Sequence, residues 1–325
     1  MQDYQSLFNT LTKAIDFEQK QLSSACPLQM YEPMAYIIGL GGKRVRPLLT
    51  LVGCDLFDVA PENAMQSALA VELFHNFSLI HDDILDKAPL RRGNITVHEK
   101  WNTNIAILSG DGMMVKAIDE LCKSNPVHIH DLLKLFSKTA LEVCEGQQYD
   151  MNFETQQSVS VEEYIHMITF KTAVLLGCSL QMGAICANAN HINQNHLYEF
   201  GKNIGIAFQI LDDVLDVYAT DHKFGKQVGG DIISNKKTFL LLKAIEIASP
   251  IQIESLNQLL KSTNVAEKVS AITAMYDALN IKEIATAEAN KFTTIALTHL
   301  DQITSNEVKK SLLKQFAFHL LNREI

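Results

Sequence analysis

The sequence predicts an all-α protein, and three observations carry that reading. Apolar residues recur at three- and four-residue spacing along nearly the whole chain, strand-like alternation is almost absent, and only 7 prolines interrupt 325 residues. Hydrophobic residues make up 47% of the chain, enough to fill a sizeable core, while charged residues at 20% suit helix surfaces. No Pro/Gly/Ser-rich linker, composition shift or low-complexity tract divides the chain, so residues 1–325 read as one large helical domain.

The periodic segments follow in order. Helices are expected near 4–23 and 43–58, the second opening at the turn Gly39-Leu40-Gly41-Gly42. The segment 62–87 starts after Pro61, and 103–123 and 127–152 follow, the latter next to Pro126. Two long apolar segments, 160–188 and 191–219, form the strongly hydrophobic centre. A loop marked by Gly225, Gly229 and Gly230 comes next, then 235–248 and 250–262, which opens on Pro250. The pattern closes with 265–279, 281–300 and 305–321.

Composition narrows the function. A net charge of −9 disfavours nucleic acid as a partner but permits an anionic small molecule, because local cations and metal ions set the field in a cleft. Cys26, Cys54, Cys122, Cys144, Cys178 and Cys186 show no CxxC spacing and read as reduced, buried thiols of a cytoplasmic protein rather than as zinc ligands or disulfides. The first residues carry no basic stretch leading into an apolar one, which argues against a signal peptide. No uninterrupted apolar run reaches about 18 residues, so no membrane span is expected.

The most informative feature is an acidic pentad present twice. Asp82-Asp83-Ile84-Leu85-Asp86 and Asp212-Asp213-Val214-Leu215-Asp216 each lie within an apolar helical segment. At ordinary aspartate frequency, two DDxxD pentads arise by chance in such a chain only on the order of 0.003 times. In a helix the first and last carboxylates of each pentad share a face, roughly 6 Å apart. The flanks, Phe77-Ser78-Leu79-Ile80-His81 and Ile206-Ala207-Phe208-Gln209-Ile210-Leu211, are too apolar for an exposed stripe and suit carboxylates that point into a cavity. Buried carboxylates need cations, and oxygen donors without Cys or His partners favour a hard ion. Mg²⁺ fits, because it keeps waters and shares itself between one or two carboxylates and substrate phosphates.

Basic residues lie where a phosphorylated ligand needs them. Gly41-Gly42-Lys43-Arg44-Val45-Arg46-Pro47 lacks the spacing of a nucleotide loop and reads instead as a glycine turn opening a cationic helix, a site for an anion. Arg91 and Arg92 follow the first pentad, where guanidinium forks suit diphosphate oxygens. Lys223, Lys226, Asp231 and Lys236 follow the second, and Gly146-Gln147-Gln148-Tyr149-Asp150 and Phe170-Lys171-Thr172-Ala173 lie midway.

In this order and spacing, the motifs resemble the trans-isoprenyl diphosphate synthase (polyprenyl synthetase) family. The likeness spans roughly residues 39–240: GGKRxRP at 41–47, His75, DDxxD followed by RRG, the Lys171-Thr172 pair, and FQxxDDxxD at 208–216 followed by GKxxGGD. It implies the isoprenoid synthase fold, a helical bundle around a deep central cavity with two aspartate-rich helices facing each other at its mouth. It further implies three Mg²⁺ ions held by Asp82 and Asp86 with Asp212 opposite, Asp83 and Asp216 supporting or tuning that set, and Asp213 counted with them as a metal-site residue of the second pentad. Arg91, Lys171, Lys226 and Lys236 match positions that neutralise an allylic diphosphate. Gly42, Lys43, Arg46, His75 and Arg92 match the isopentenyl diphosphate site, with His75 as a donor rather than an acid/base. Thr172 and Gln209 match positions whose oxygens face the allyl cation, although either could simply cap or bridge neighbouring helices.

The implied reaction is ionisation of the allylic diphosphate, attack by the isopentenyl double bond, and loss of a proton to the released diphosphate. Positions four and five before Asp82 are Ser78 and Phe77, and about one helical turn of depth separates them from the aspartates, so they are read as the floor that limits product length. The pattern resembles a geranylgeranyl more than a strict farnesyl diphosphate synthase. A terpene cyclase usually lacks the second DDxxD and the isopentenyl site, and a silent modulatory subunit tends to lose motif residues; neither loss is seen. A homodimer is implied by the resemblance alone.

Overall fold

The computed structural model describes residues 4–219 and 229–322, and its architecture is built from helices α1 (Gln5–Ser23), α2 (Leu28–Gly39), α3 (Val45–Asp55), α4 (Met65–Leu85), α5 (Val97–Lys100), α6 (Thr103–Cys122), α7 (Ile129–Thr155), α8 (Val161–Ile168), α9 (Val174–Cys186), α10 (His191–Tyr218), α11 (Gly230–Ile233), α12 (Phe239–Ile247), α13 (Pro250–Leu260), α14 (Val265–Ala278), α15 (Ile281–Asp301) and α16 (Glu307–Leu321). The all-α expectation holds. Among the described residues the only strands are β1 (Leu90–Arg91) and β2 (Asn94–Ile95), a two-residue antiparallel hairpin.

Local chemistry sets most of the helix starts. Ser160 and Ser249 each close a capping box, with Glu163 and Gln252 reaching back to the cap backbone. Asn102, Thr238 and Asn264 cap α6, α12 and α14 with side-chain oxygens. Pro250 occupies the first turn of α13, where its missing N–H costs nothing.

Five departures from the periodicity reading have physical reasons. α2 occupies a stretch to which the apolar pattern assigned no helix. Pro33 lies inside it, yet the helix persists because its apolar side packs on α1 and α6. α3 begins at Val45 rather than at Lys43, because Arg44 takes a left-handed backbone (φ 48°) at its N-cap. The segment 160–188 is not uniform: a π-turn, Thr169–Ala173, separates α8 from α9. Of the free cysteines, Cys54, Cys178 and Cys186 are buried, but Cys26, Cys122 and Cys144 are exposed because they lie at helix ends or on outer faces. Finally, the continuous stretch Val161–Cys186 is long and apolar enough to cross a membrane by composition, and 72% of its most apolar window is buried within the protein, as in a core helix.

The chain's contacts gather into two compact units, each assembled from separate stretches of sequence. The first comprises residues 1–138, 175–198 and 302–314, and the second residues 139–174, 199–301 and 315–325. In the first, α4 is the central helix, buried on nearly every side from Ser67 to Phe74, and packs most extensively on α6. In the second, α12 packs between α8 and α15, with Phe239, Leu240 and Ala244 buried.

Candidate active site

The first unit gathers one set of expected residues. In the glycine turn, Gly41 and Gly42 both have positive φ, at 72° and 137°. A side chain on Gly42 would meet the Arg92 guanidinium at 2.8 Å, so glycine is required for the close approach as well as for the backbone. Arg92 crosses the turn and donates to the Gly41 carbonyl. It stands at the tip of the β1–β2 hairpin, where Arg92 (φ 54°) and Gly93 (φ 75°) form a two-residue turn with both central residues left-handed. Two bonds fix the hairpin base: Thr96 Oγ1 to Ala88 O at 2.7 Å, and Tyr36 Oη to Ile95 O at 2.7 Å.

Arg46, in the first turn of α3, lies 3.4 Å from Nε2 of His75 on α4. Arginine can only donate, so Nε2 is the acceptor, and any donation by His75 comes from Nδ1. Burial holds His75 well below the usual histidine range, and Arg46, Arg92, Arg91 and Arg44 all push the same way. Burial and Arg92 likewise pull Arg46 down to about 10, still charged at neutral pH. Arg44 and Arg91 already have carboxylate partners in Glu72 and Asp83, so Arg46 and Arg92, beside His75 and the glycine turn, are the two of these cations with no carboxylate bonded to them among the described residues.

The first pentad ends α4. Asp83, 1% exposed, turns into the protein and takes Arg91 Nε at 2.8 Å on both oxygens. Burial still raises its carboxyl above the ordinary range, opposed by Arg91. Asp82 is half-buried and Asp86 exposed. The division follows from helical geometry: the second residue sits about 100° around the helix from the first and about 60° from the last, so one face packs while the other stays open. Upstream on the same helix, Phe77 stacks against Phe74 (centroids 5.5 Å) and against His81 (4.7 Å), and Phe74 against Phe136 (5.3 Å). Ser78 turns its hydroxyl back to the His75 carbonyl at 2.8 Å.

The second unit gathers the rest. The π-turn displaces the backbone that carries Lys171 and Thr172, a distortion often found at functional positions. α7 crosses it closely at Gly146, where a Cβ would lie 2.2 Å from the Lys171 backbone nitrogen. Lys171 Nζ pairs with Asp150 at 2.6 Å; burial opposes ionisation of Asp150, but Lys236 and Lys171 outweigh it and hold the carboxyl low. Thr172 donates to Gln209 Oε1 at 3.3 Å, and Gln209 Nε2 lies 3.5 Å from Asp213. Thr172 and Gln209 therefore bridge the π-turn to α10.

The second pentad repeats the division of the first. Asp213 is the buried aspartate, 5% exposed; its carboxylate accepts the Tyr164 hydroxyl and the Phe239 N–H, the latter at 3.1 Å. Burial and Asp231 push it up to about 7 despite those bonds. Asp216 accepts the Asp231 N–H at 2.9 Å and so braces α11, while Asp212 is half-buried. Lys237, beside Lys236, donates to the carbonyls of Phe153 and Gln156 at the end of α7. Lys223 and Lys226 lie outside the described residues.

Asp150, Tyr164, Arg44 and Glu72 were not singled out from sequence. Asp150 and Arg44 lie in motifs the sequence displays, but the partners of Arg44, Tyr164 and Glu72 are set by packing between segments distant in the chain. Among the described residues no three His, Cys, Asp or Glu side chains converge into a ready-made metal cage. Pairs of hard carboxylates one turn apart suit an ion that completes its shell with water and phosphate oxygens.

Comparison with known proteins agrees with this reading. Residues 27–279 match the Polyprenyl synthetase family. A geranylgeranyl diphosphate synthase of Methanosarcina mazei is 35% identical over 92% of this chain and 91% of its own length. The crystal structure of a geranylgeranyl pyrophosphate synthase superposes with a TM-score of 0.91 at 41% identity, covering 98% of this chain and 99% of that one. A geranylgeranyl pyrophosphate synthetase from Pyrococcus horikoshii gives 0.92 at 33% identity, covering 99% and 100%. With the motifs, the isoprenoid synthase fold and these likenesses together, the chain belongs to the polyprenyl synthetase family and is a short-chain trans-isoprenyl diphosphate synthase, a prenyltransferase.

Proposed function

We propose that the enzyme condenses isopentenyl diphosphate with an allylic prenyl diphosphate and that its main product is geranylgeranyl diphosphate. The observation that carries the reading is the geometry at the glycine turn, where Arg46 lies 3.4 Å from His75 and Arg92 crosses the turn over Gly42, a cationic cradle suited to a diphosphate. The similarity to geranylgeranyl diphosphate synthases supports the product.

Isopentenyl diphosphate is held by the Gly42 backbone, Lys43, Arg46, Arg92 and His75, which donates from Nδ1. The allylic diphosphate is neutralised by Arg91, Lys171 and Lys236, with Lys226 as a further cation. As the C1–O bond breaks, these cations stabilise the charge that develops on the leaving diphosphate, most strongly where water is excluded. Thr172 and Gln209 offer oxygen lone pairs to the allyl cation. The isopentenyl double bond forms the new C–C bond, and the proton then lost passes to the released diphosphate.

Magnesium, three ions by family resemblance, supplies Lewis-acid neutralisation of the diphosphate when bound. By the same resemblance, Asp82 and Asp86 on α4 and Asp212 on α10 would hold it. Asp83 and Asp213 instead hold their helices to Arg91 and Tyr164, and Asp216 supports α11. Phe77 and Ser78 limit product length. The enzyme is cytoplasmic and works as a homodimer; an exposed apolar stripe on α6, with Ile107, Leu108, Val115 and Ile118 39–65% exposed, supports pairing.

The test is to incubate the purified protein with Mg²⁺, isopentenyl diphosphate and the five-, ten- or fifteen-carbon allylic diphosphate, then size the products. Elongation to twenty carbons is expected. If no primer is elongated the synthase reading fails, and if elongation stops at fifteen carbons the enzyme is a farnesyl diphosphate synthase.

A further inference from the structure

Beneath the glycine turn lies an ion pair to which none of these roles belongs. Glu72, 3% exposed in the middle of α4, pairs with Arg44. Arg44 Nη2 also donates to the Ile38 carbonyl in the last turn of α2, and Arg44 is itself the left-handed N-cap of α3. One guanidinium therefore joins the end of α2, the start of α3 and the centre of α4. Asn76, fully buried one turn beyond Glu72, donates Nδ2 to Glu72 Oε1 and to Glu72 O, both at 2.8 Å, so the carboxylate is fixed on its own helix. A left-handed arginine is an uncommon backbone state and persists only where its surroundings hold it. Lys43 precedes that residue and Arg46 follows two positions later, so rotation at Arg44 moves both.

We propose that Glu72 is a positioning residue for the isopentenyl diphosphate site, acting through Arg44 to hold the backbone that aims Lys43 and Arg46. The proposal rests on the substrate assignment above. It makes the buried carboxylate a specificity element: its loss weakens one substrate and spares the other.

The test is steady-state kinetics on the full-length enzyme, varying each substrate in turn. Glu72→Gln keeps the volume and the Asn76 hydrogen bond but removes the charge. The expected result is a rise of about 10-fold in KM for isopentenyl diphosphate with KM for the allylic substrate within about 2-fold. In the double variant with Arg44→Gln, the KM is expected to match that of Arg44→Gln alone, because both act through one contact. Equal rises in the two KM values, multiplicative effects, or a lower Tm with both KM values unchanged each overturn the proposal. Should Glu72→Gln not fold, Asn76→Ser reads the same device: about a 3-fold rise in KM for isopentenyl diphosphate alone supports it, and no change overturns it. If the wild type elongates no primer, the substrate assignment falls independently. Titration calorimetry with inorganic pyrophosphate then decides, with about 10-fold weaker binding in Glu72→Gln expected and equal binding overturning the role.

Discussion

Arg91 and Asp83 form a bidentate pair within the first aspartate motif, with Nε 2.8 Å from both carboxylate oxygens and Nη2 2.7 Å from one of them. Asp83 is the buried partner, and Arg91 also reaches Asp82 at 3.4 Å. The pair fixes the hairpin arginine against the helix that carries the metal-binding candidates. Asp83→Asn is expected to lower activity and to destabilise by about 3 kcal/mol, because the arginine loses its buried counter-charge. The Mg²⁺ concentration for half-maximal activity is expected to stay within about 2-fold of wild type, whereas Asp82→Asn raises it about 10-fold or more. Magnesium titrations of both variants check this, and a matching rise in Asp83→Asn would make Asp83 a ligand.

His75 gives the protein a defined pH response. Its folded-state pKa is depressed, so between its unfolded value near 6.5 and the lower folded value only the unfolded chain takes up the proton. The stability from neutral His75 is present above about pH 6.5 and is lost as pH falls below it, by up to about 1.4 kcal/mol per pH unit. His75→Gln is expected to flatten that slope, and melting temperatures measured between pH 5 and 8 for the two proteins test it.

The π-turn needs a glycine opposite it. In Gly146→Ala the new methyl would fall 2.2 Å from the Lys171 nitrogen and 2.6 Å from its Cα, and backbone cannot swing aside as a side chain can. A loss of about 2 kcal/mol or more is expected, together with a fall in turnover as Lys171 and Thr172 move. Thermal melts and initial rates report the two effects, and wild-type values for both would remove the crossing from the account.

Tyr164 is buried and its hydroxyl satisfies Asp213. Tyr164→Phe is expected to cost about 1–3 kcal/mol, since the carboxyl keeps the Phe239 N–H but loses its hydroxyl donor. Urea unfolding measures the difference. A midpoint within error of wild type would mean that another donor takes the hydroxyl's place.

Phe77 stands between Phe74 and His81 in a stack of rings on one side of α4. Phe77→Ala is expected to shift the main product to a longer chain, read by chromatography of the dephosphorylated products. An unchanged profile would move the length limit to another helix.

Much of the candidate site was legible because its chemistry is local. Asp82 with Asp86, and Asp212 with Asp216, share a helix face by spacing alone, and the turn before Arg46 is marked by its glycines. By itself the sequence determined the helical class, the two carboxylate faces proposed to bind metal, the basic residues near them in sequence and the family. Only the tertiary structure decided that Asp83 and Asp213 are inward anchors. A helix's spacing says which residues share a face, but which face is packed depends on neighbours far away in the chain. The same reason hid the Glu72–Arg44 pair, 28 residues apart in sequence, and α2, which keeps its helix around Pro33 by packing on α1 and α6.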